Sequence, residues 1–328
     1  MIRFNKILVP TDFSKGAESA YAAAQKISDT LGGKVDLLHV VPTIKYLAES
    51  AKRLGTPIDL NEDVYPKVFE EAEHQLEKAM NQYFKEETKG DFKVVIDRKP
   101  SETIAEYASR HNYDLIVIGA KGKDESKLMR GSTTEKVIRK AKVPVFSIEG
   151  RLNEHDIKNI VMTTDGSPLS FTAFPMSVAL ADTFNSKLTL FQVLELYGNS
   201  VLGNMPKPSS DEIVAVYEEI IRRLNQFLED QGIESIHVRR TGVSFEDEVT
   251  ITESDGSRVI PLETKVEKGV SAHYEIESYT TDHADLVVMA THGHSGFAHL
   301  ILGSTAEKVA QYVKKPVITV RPDKKLLN

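Results

Sequence analysis

Residues Asp285 to Val320 read DLVVMATHGHSGFAHLILGSTAEKVAQYVKKPVITV. Leu286 to Met289 is a short apolar run without alternation, the pattern of a strand buried on both faces. A glycine-containing loop follows, then a helix opening at Gly303-Ser304-Thr305, then a second buried strand from Val317 to Val320. The loop has the spacing Ala290-x-x-Gly293, nine further residues, and Gly303-Ser304-Thr305. Glycine lets a backbone come within hydrogen-bonding distance of a ligand, and the free amides of a helix start favour an anion. Taken alone, Gly-Ser-Thr is a helix cap, because Ser and Thr satisfy those amides unaided. Apolar strand, glycines, capped helix and a strand bounded by Lys-Pro together describe a phosphate cradle.

The combination occurs twice. Asp114 to Ile148 reads DLIVIGAKGKDESKLMRGSTTEKVIRKAKVPVFSI and aligns with the later stretch almost throughout. A second matching pair, KILVPTDFSKGAESAYAA from Lys6 and NIVMTTDGSPLSFTAFPMSVA from Asn159, lies near the start of each half. Each is an apolar run, Thr-Asp, a turn and a helical pattern. The chain is a duplication, and 328 residues suffice for two domains of about 150 residues with a core each. The polar stretch Arg151 to Lys158 divides them, giving domains 1–150 and 157–324.

Cysteine is absent, which removes disulfides and thiolate metal sites and fits a reducing cytoplasm. No apolar run approaches the roughly 20 residues that cross a bilayer, and Met1 to Phe4 leads straight into a strand rather than a signal peptide. These features point to a cytoplasmic protein with no membrane partner. A formal net charge of -7 argues against general nucleic-acid binding.

Along the first half, strands are expected at Ile7–Val9, Val35–Val41, Phe92–Ile96, Leu115–Ile118 and Val143–Ile148. Helices are expected at Ala17–Ile27, Pro66–Lys85, Thr103–His111 and Gly131–Ala141, with polar connections such as Pro42 to Tyr65. Alternation at these lengths implies an α/β fold with a parallel sheet covered on both faces. The second half repeats the order: strand Ile160–Met162, helix Ser170–Thr183, strand Leu188–Leu194, a loop to Pro208 and helix Asp211–Leu228. The interval from Asp165 to Ala290 exceeds that from Asp12 to Gly119 by about 18 residues. Alternation on both sides of Ser254-Asp255-Gly256-Ser257 predicts an added β-hairpin within 242–266. Either Ile236–Arg240 or Leu262–Val266 is then the third core strand.

Both halves resemble the universal stress protein family in its tandem, two-domain form. The resemblance rests on Pro10-Thr11-Asp12-Phe13-Ser14, Leu38-His39-Val40, Gly119-x-x-Gly122 and Gly131-Ser132-Thr133, and on Thr164-Asp165, Val193, Gly293 and Gly303-Ser304. It implies two doubly wound five-stranded parallel sheets in the order 3-2-1-4-5, the second with the inserted hairpin. It also implies ATP, with or without magnesium, at the carboxyl ends of strands 1 and 4. Independently, open α/β sheets bind ligands where strand order reverses. In the second half the resemblance sets Thr164 and Asp165 beside the nucleotide and has Val193 offering its backbone to adenine. Ala290, Gly293, Gly303, Ser304 and Thr305 would hold ribose and phosphates, Ala290 replacing the family's first glycine. The counterparts in the first half are Pro10, Asp12, Val40, Gly119, Gly122, Gly131, Ser132 and Thr133. There the loop Lys123 to Arg130 is one residue short and carries Asp124 and Glu125 beside the phosphates, opposed by Lys121, Lys123, Lys127 and Arg130. The second site is therefore the principal one.

Other signals carry less. Thr291-His292-Gly293-His294 lies after the fourth strand, not the first where a nucleotidyl-transferase histidine pair belongs. His292, His294 and His299 lack a nearby Asp, Glu or Cys in the loop and read as solvated. Asp12 and Asp165 have a structural alternative as caps of the helices that follow. No Walker lysine, Gly-x-Ser-x-Gly or His-Glu-x-x-His motif occurs, and no catalytic residue is nominated. Three readings follow: an ATP-binding stress-response sensor or regulator, an interaction scaffold without nucleotide, and a slow ATPase. By resemblance the two domains form a pseudo-symmetric pair through Val143–Ile148 and Val317–Val320, with a homodimer as a further association.

Overall fold

The computed structural model describes residues 3–43, 65–121, 131–150, 152, 157–195, 210–254, 256–293 and 303–322. The connections expected from Pro42 to Tyr65 and up to Pro208, and most of the linker, lie outside these. Two compact units divide the chain between residues 152 and 153. Among the described residues no helix is long and apolar enough to cross a membrane.

The first unit runs β1 (Lys6–Thr11), α1 (Lys15–Leu31), β2 (Lys34–Pro42), α2 (Tyr65–Tyr83), β3 (Lys89–Asp97), α3 (Pro100–Arg110), β4 (Leu115–Gly119), α4 (Ser132–Lys140) and β5 (Val145–Ile148). All its strand pairings are parallel, in the order β3-β2-β1-β4-β5. Every residue of β4 and β5 is buried, as is all of β1 after Lys6. That explains the unbroken apolar runs: helices cover both faces, so neither set of alternating side chains meets water. Strand order reverses between β1 and β4, the kind of position at which open α/β sheets bind ligands.

The second unit repeats this with β6 (Asn159–Thr164), α5 (Pro168–Phe171), α6 (Phe174–Phe184), β7 (Lys187–Glu195), α7 (Ser210–Asp230), β8 (Ile236–Val243), β9 (Glu246–Glu253), β10 (Gly256–Gly269), α8 (Ala272–His283), β11 (Leu286–Ala290), α9 (Ser304–Tyr312) and β12 (Val317–Val320). Its parallel core is β10-β7-β6-β11-β12. The single helix expected over Ser170–Thr183 is broken between Phe171 and Phe174. Pro175, in the first turn of α6, has no N–H for the Phe171 carbonyl and its ring would strike that oxygen, so a new helix starts instead.

The added hairpin is present and larger than the 242–266 window. Residues Gly256–Glu263 of β10 pair antiparallel with β9, and β9 pairs antiparallel with β8. Leu262–Gly269 of the same strand pair parallel with β7, so this is the third core strand. Ile236–Arg240 lies outermost. Both candidates carry the same period-two sequence pattern, but β10 buries alternate residues over Leu262–Val266 while β8, at the edge, buries only Ile236. Tyr217 of α7 anchors the addition: its hydroxyl donates to Asp247 Oδ2 at 2.9 Å, while Arg240 lies 3.2 Å from Oδ1 and 4.7 Å from the Tyr217 ring centre.

Candidate functional site

β6 ends at Thr164, and the turn that follows is built from its own side chains. Asp165 Oδ1 accepts from Ser167 N at 3.0 Å and Ser167 Oγ at 2.6 Å, and Thr164 Oγ1 accepts from Gly166 N at 3.0 Å. Ser167, not Asp165, caps the next helix, accepting from Ser170 N at 3.2 Å. In the first unit Asp12 likewise accepts from Ser14 N at 3.0 Å, and Ser14 caps α1. The capping alternative for the two aspartates is thus corrected. A carboxylate two residues before the cap takes the turn amide, and the shorter serine reaches the helix amide.

The neighbouring strand β11 ends at Ala290. Thr291 N donates to Val320 O at 2.8 Å, and Gly303 N donates to Thr291 O at 2.9 Å, so the chain returns beside the point where it left. Residues 294–302 between, with His294 and His299, lie outside the described residues. Gly303 is the N-cap of α9 and brings no side-chain oxygen, which leaves the first-turn amides of Ser304 and Thr305 without a cap from it. Gly293 sits against Asp165: a Cβ placed there would lie 2.1 Å from Asp165 Oδ2, so a larger residue would have to displace that carboxylate.

These pieces wall a cavity of 520 Å³ at the carboxyl ends of β6, β7 and β11. Thr164, Asp165, Val193, Ala290, Gly293, Gly303, Ser304 and Thr305 all line it. So do Glu195, His273 and Lys308, which sequence reasoning missed. Glu195 Oε1 accepts from Ala272 N at 2.7 Å and so caps α8 from the end of β7, while the N-cap residue Ser271 bonds His273 Nδ1 at 2.6 Å. His273 is held below the usual histidine pKa by burial and then by Lys308, with Glu277 and Glu195 opposing. Strand registers set His273 opposite Ser101 of the first copy, so comparison of the copies could have found it. Among the described residues no group of three or more His, Cys, Asp or Glu could hold a metal ion.

In the first unit the same bend appears: Ala120 N donates to Ile148 O at 2.7 Å and Gly131 N to Ala120 O at 2.7 Å. Pro10 lies in β1, Val40 in β2, Asp12 in the turn, Gly119 at the end of β4, and Gly131, Ser132 and Thr133 at the start of α4. Gly122, with the loop Lys123 to Arg130, lies outside the described residues. Here the walls approach closely: a Cβ on Gly16 would be 1.9 Å from Lys121 O, and one on Gly119 would be 2.4 Å from Gly16 O. The second unit has Leu169 and Ala290 at these positions, so its turn and its fourth strand stand further apart there. Lys121 is paired with Glu149 at 2.6 Å.

The chain is thus a duplicated doubly wound α/β sheet, with a cavity at the strand-order reversal of the second copy. The family model for the universal stress protein family matches residues 3–148 and 156–321. The chain belongs to that family. A universal stress protein of Mycolicibacterium smegmatis is 23% identical over 320 residues, covering 96% of this chain and 97% of the relative. One from Methanocaldococcus jannaschii is 27% identical over 180 residues, covering 53% and 88%. The crystal structure of a universal stress protein from Archaeoglobus fulgidus superposes with a TM-score of 0.60 at 19% identity, covering 98% of this chain and 97% of its own.

Proposed function

We propose that the second domain binds an adenine nucleotide, ATP with magnesium, and that the protein acts in the cytoplasm as a stress-response sensor or regulator read out through that occupancy. The observation that carries this is the 520 Å³ cavity, whose wall contains all eight second-domain positions picked out by motif. Its volume is in the range of small-ligand sites, at about 300–1,000 Å³. The uncapped amides of α9 face the phosphate end, where the helix dipole favours negative charge. Asp165 and Glu195 bring negative charge to the same cavity, which a metal ion on the phosphates would offset.

The test is native purification, denaturation and identification of released small molecules, followed by calorimetry with ATP, AMP, cAMP and GTP. Gly303→Asp is expected to abolish uptake by setting a carboxylate where the phosphates lie. Aspartate is itself a good N-cap and Gly303 has a φ of -58°, so the helix survives the change. Gly131→Asp is expected to leave uptake nearly intact. Equal loss from both would remove the asymmetry, and no uptake by the unaltered protein would remove the reading. The close approach of Gly16 to Lys121 favours a second reading for the first domain alone, a scaffold without nucleotide. Phosphate release with ATP and magnesium tests hydrolysis, which is expected to be slow.

A further inference from the structure

The helix after the third core strand starts differently in the two copies. In the first domain α3 opens Lys99-Pro100-Ser101, and Pro100 has no N–H to be capped. In the second, α8 opens Ser271-Ala272-His273, and strand registers make these the counterparts of the same three positions. Ser271 holds the N-cap position yet does not cap the helix. Glu195 reaches across from the end of β7 and takes the Ala272 N–H at 2.7 Å, where the first copy has Pro42 at the matching point of β2. That frees the Ser271 hydroxyl, which bonds His273 Nδ1 at 2.6 Å. One ring nitrogen is thereby held, and Nε2 has no hydrogen bond among the described residues. Glu195, Ser271 and His273 all belong to the wall of the 520 Å³ cavity, with Lys308 from the second turn of α9.

The half-buried imidazole is surrounded by charge of both signs. Glu277 lies one turn along α8, Glu195 on β7 and Lys308 on α9, while Asp165 and His292 stand elsewhere on the cavity wall. Burial and then Lys308 disfavour the imidazolium, the two glutamates favour it, and the first pair prevails. The ring is therefore neutral at pH 7. A phosphate entering the cavity changes the balance, because an opposite charge within about 4–6 Å favours the charged form.

We infer that His273 is a ligand-binding residue of the second-domain cleft, one that takes a proton from solvent as an anionic nucleotide enters and so tightens the hold on that nucleotide as pH falls. The inference rests on the cleft being a nucleotide site. Binding raises the ring's pKa from a free value below about 6.5. Affinity is flat well above the bound pKa, climbs as pH falls through the interval, and levels off below the free pKa. Proton and nucleotide favour each other's binding to the same degree. The first domain has Ser101 at this place, which does not titrate.

Calorimetry of the full chain with ATP at about pH 6.5, in two buffers of different ionisation enthalpy, counts the protons taken up per nucleotide. The phosphates titrate in the same range, so the count is set against that of His273→Ser, which installs the first copy's residue. The unaltered protein is expected to take up about half a proton more than the variant. Its affinity is expected to rise about three- to tenfold more than the variant's between pH 7.5 and 5.5. NMR titration of the His273 ring with and without ATP is expected to show its pKa rising on binding, and this carries the test if His273→Ser does not fold. Equal proton counts in the two proteins, or a ring pKa that stays put or falls with ATP, would overturn the inference and leave the nucleotide site standing. No binding of ATP at any pH would overturn both.

Discussion

The two domains solve one folding problem with one backbone bend and then use the space around it differently. In the first, Gly16 and Gly119 let the helix start and the end of the fourth strand close up, and Phe13 fills the far side of the turn. In the second, Leu169 and Ala290 hold the walls apart, and Gly166 leaves the far side open. The lesson is that a glycine does not mark a binding site by itself. Gly119 is a glycine because a carbonyl lies against it, and the copy with alanine at that point still walls a motif-lined cavity of 520 Å³.

The largest expected effect tests that closure. Gly16→Ala drives a methyl group into Lys121 O and is expected to cost about 3 kcal/mol in urea unfolding of the first domain. Leu169→Ala at the matching place, half-buried, is expected to cost about 1–2 kcal/mol. Equal losses would mean that the first-domain contact is not tight.

Next comes the carboxylate under each sheet. Asp36 accepts from Tyr113 at 2.6 Å and from Asp91 N at 2.7 Å, whereas Asp247 has Tyr217 and Arg240. Burial pushes the Asp247 carboxyl up from its ordinary pKa, and Tyr217 and Arg240 hold it down. Tyr217→Phe is therefore expected to destabilise by about 1–3 kcal/mol, more than Tyr113→Phe, because Asp36 keeps its hydrogen bond from Asp91 N whereas Asp247 keeps only the Arg240 ion pair, with no hydrogen bond on Oδ1. Thermal melts of the two variants rank them, and the reverse order would refute the account.

The smallest effect concerns His273, which has Ser101 as its counterpart. Its pKa is lowered in the folded protein, so the unfolded chain takes up a proton first as pH falls. The stability this histidine supports is complete above its unfolded value of about 6.5 and is lost as pH drops through the folded one. His273→Gln is expected to flatten the fall in melting temperature between pH 7.5 and 5.5, while Ser101→Ala leaves the slope alone. An unchanged slope in His273→Gln would show that other groups govern it.

Much of this was legible in the sequence for a physical reason. Strands covered on both faces cannot alternate, so runs such as Leu115–Ile118 and Leu286–Met289 announce themselves. Duplication then doubles every signal. The eight second-domain positions lie around one cavity because their spacing reports a backbone path. What stayed hidden depends on partners distant in sequence. The third core strand could not be chosen, since Ile236–Arg240 and Leu262–Val266 alternate alike and only pairing with β7 separates them. α8 buries little more than Ile276 and Thr280, too sparse a stripe to place His273 on the cavity wall. The break after Phe171 was written in Pro175, but a proline in a first turn and one inside a helix look the same until the break is seen.

β10 has a consequence of its own. Its residues Leu262 and Glu263 belong to two ladders at once, antiparallel on one side and parallel on the other. In the first domain the third strand is the sheet's margin along its whole length. In the second, β9 covers Gly256–Glu263, so the addition shields the start of the parallel ladder beside Leu188 and Thr189 and leaves Glu267, the partner of Val193, on the open edge.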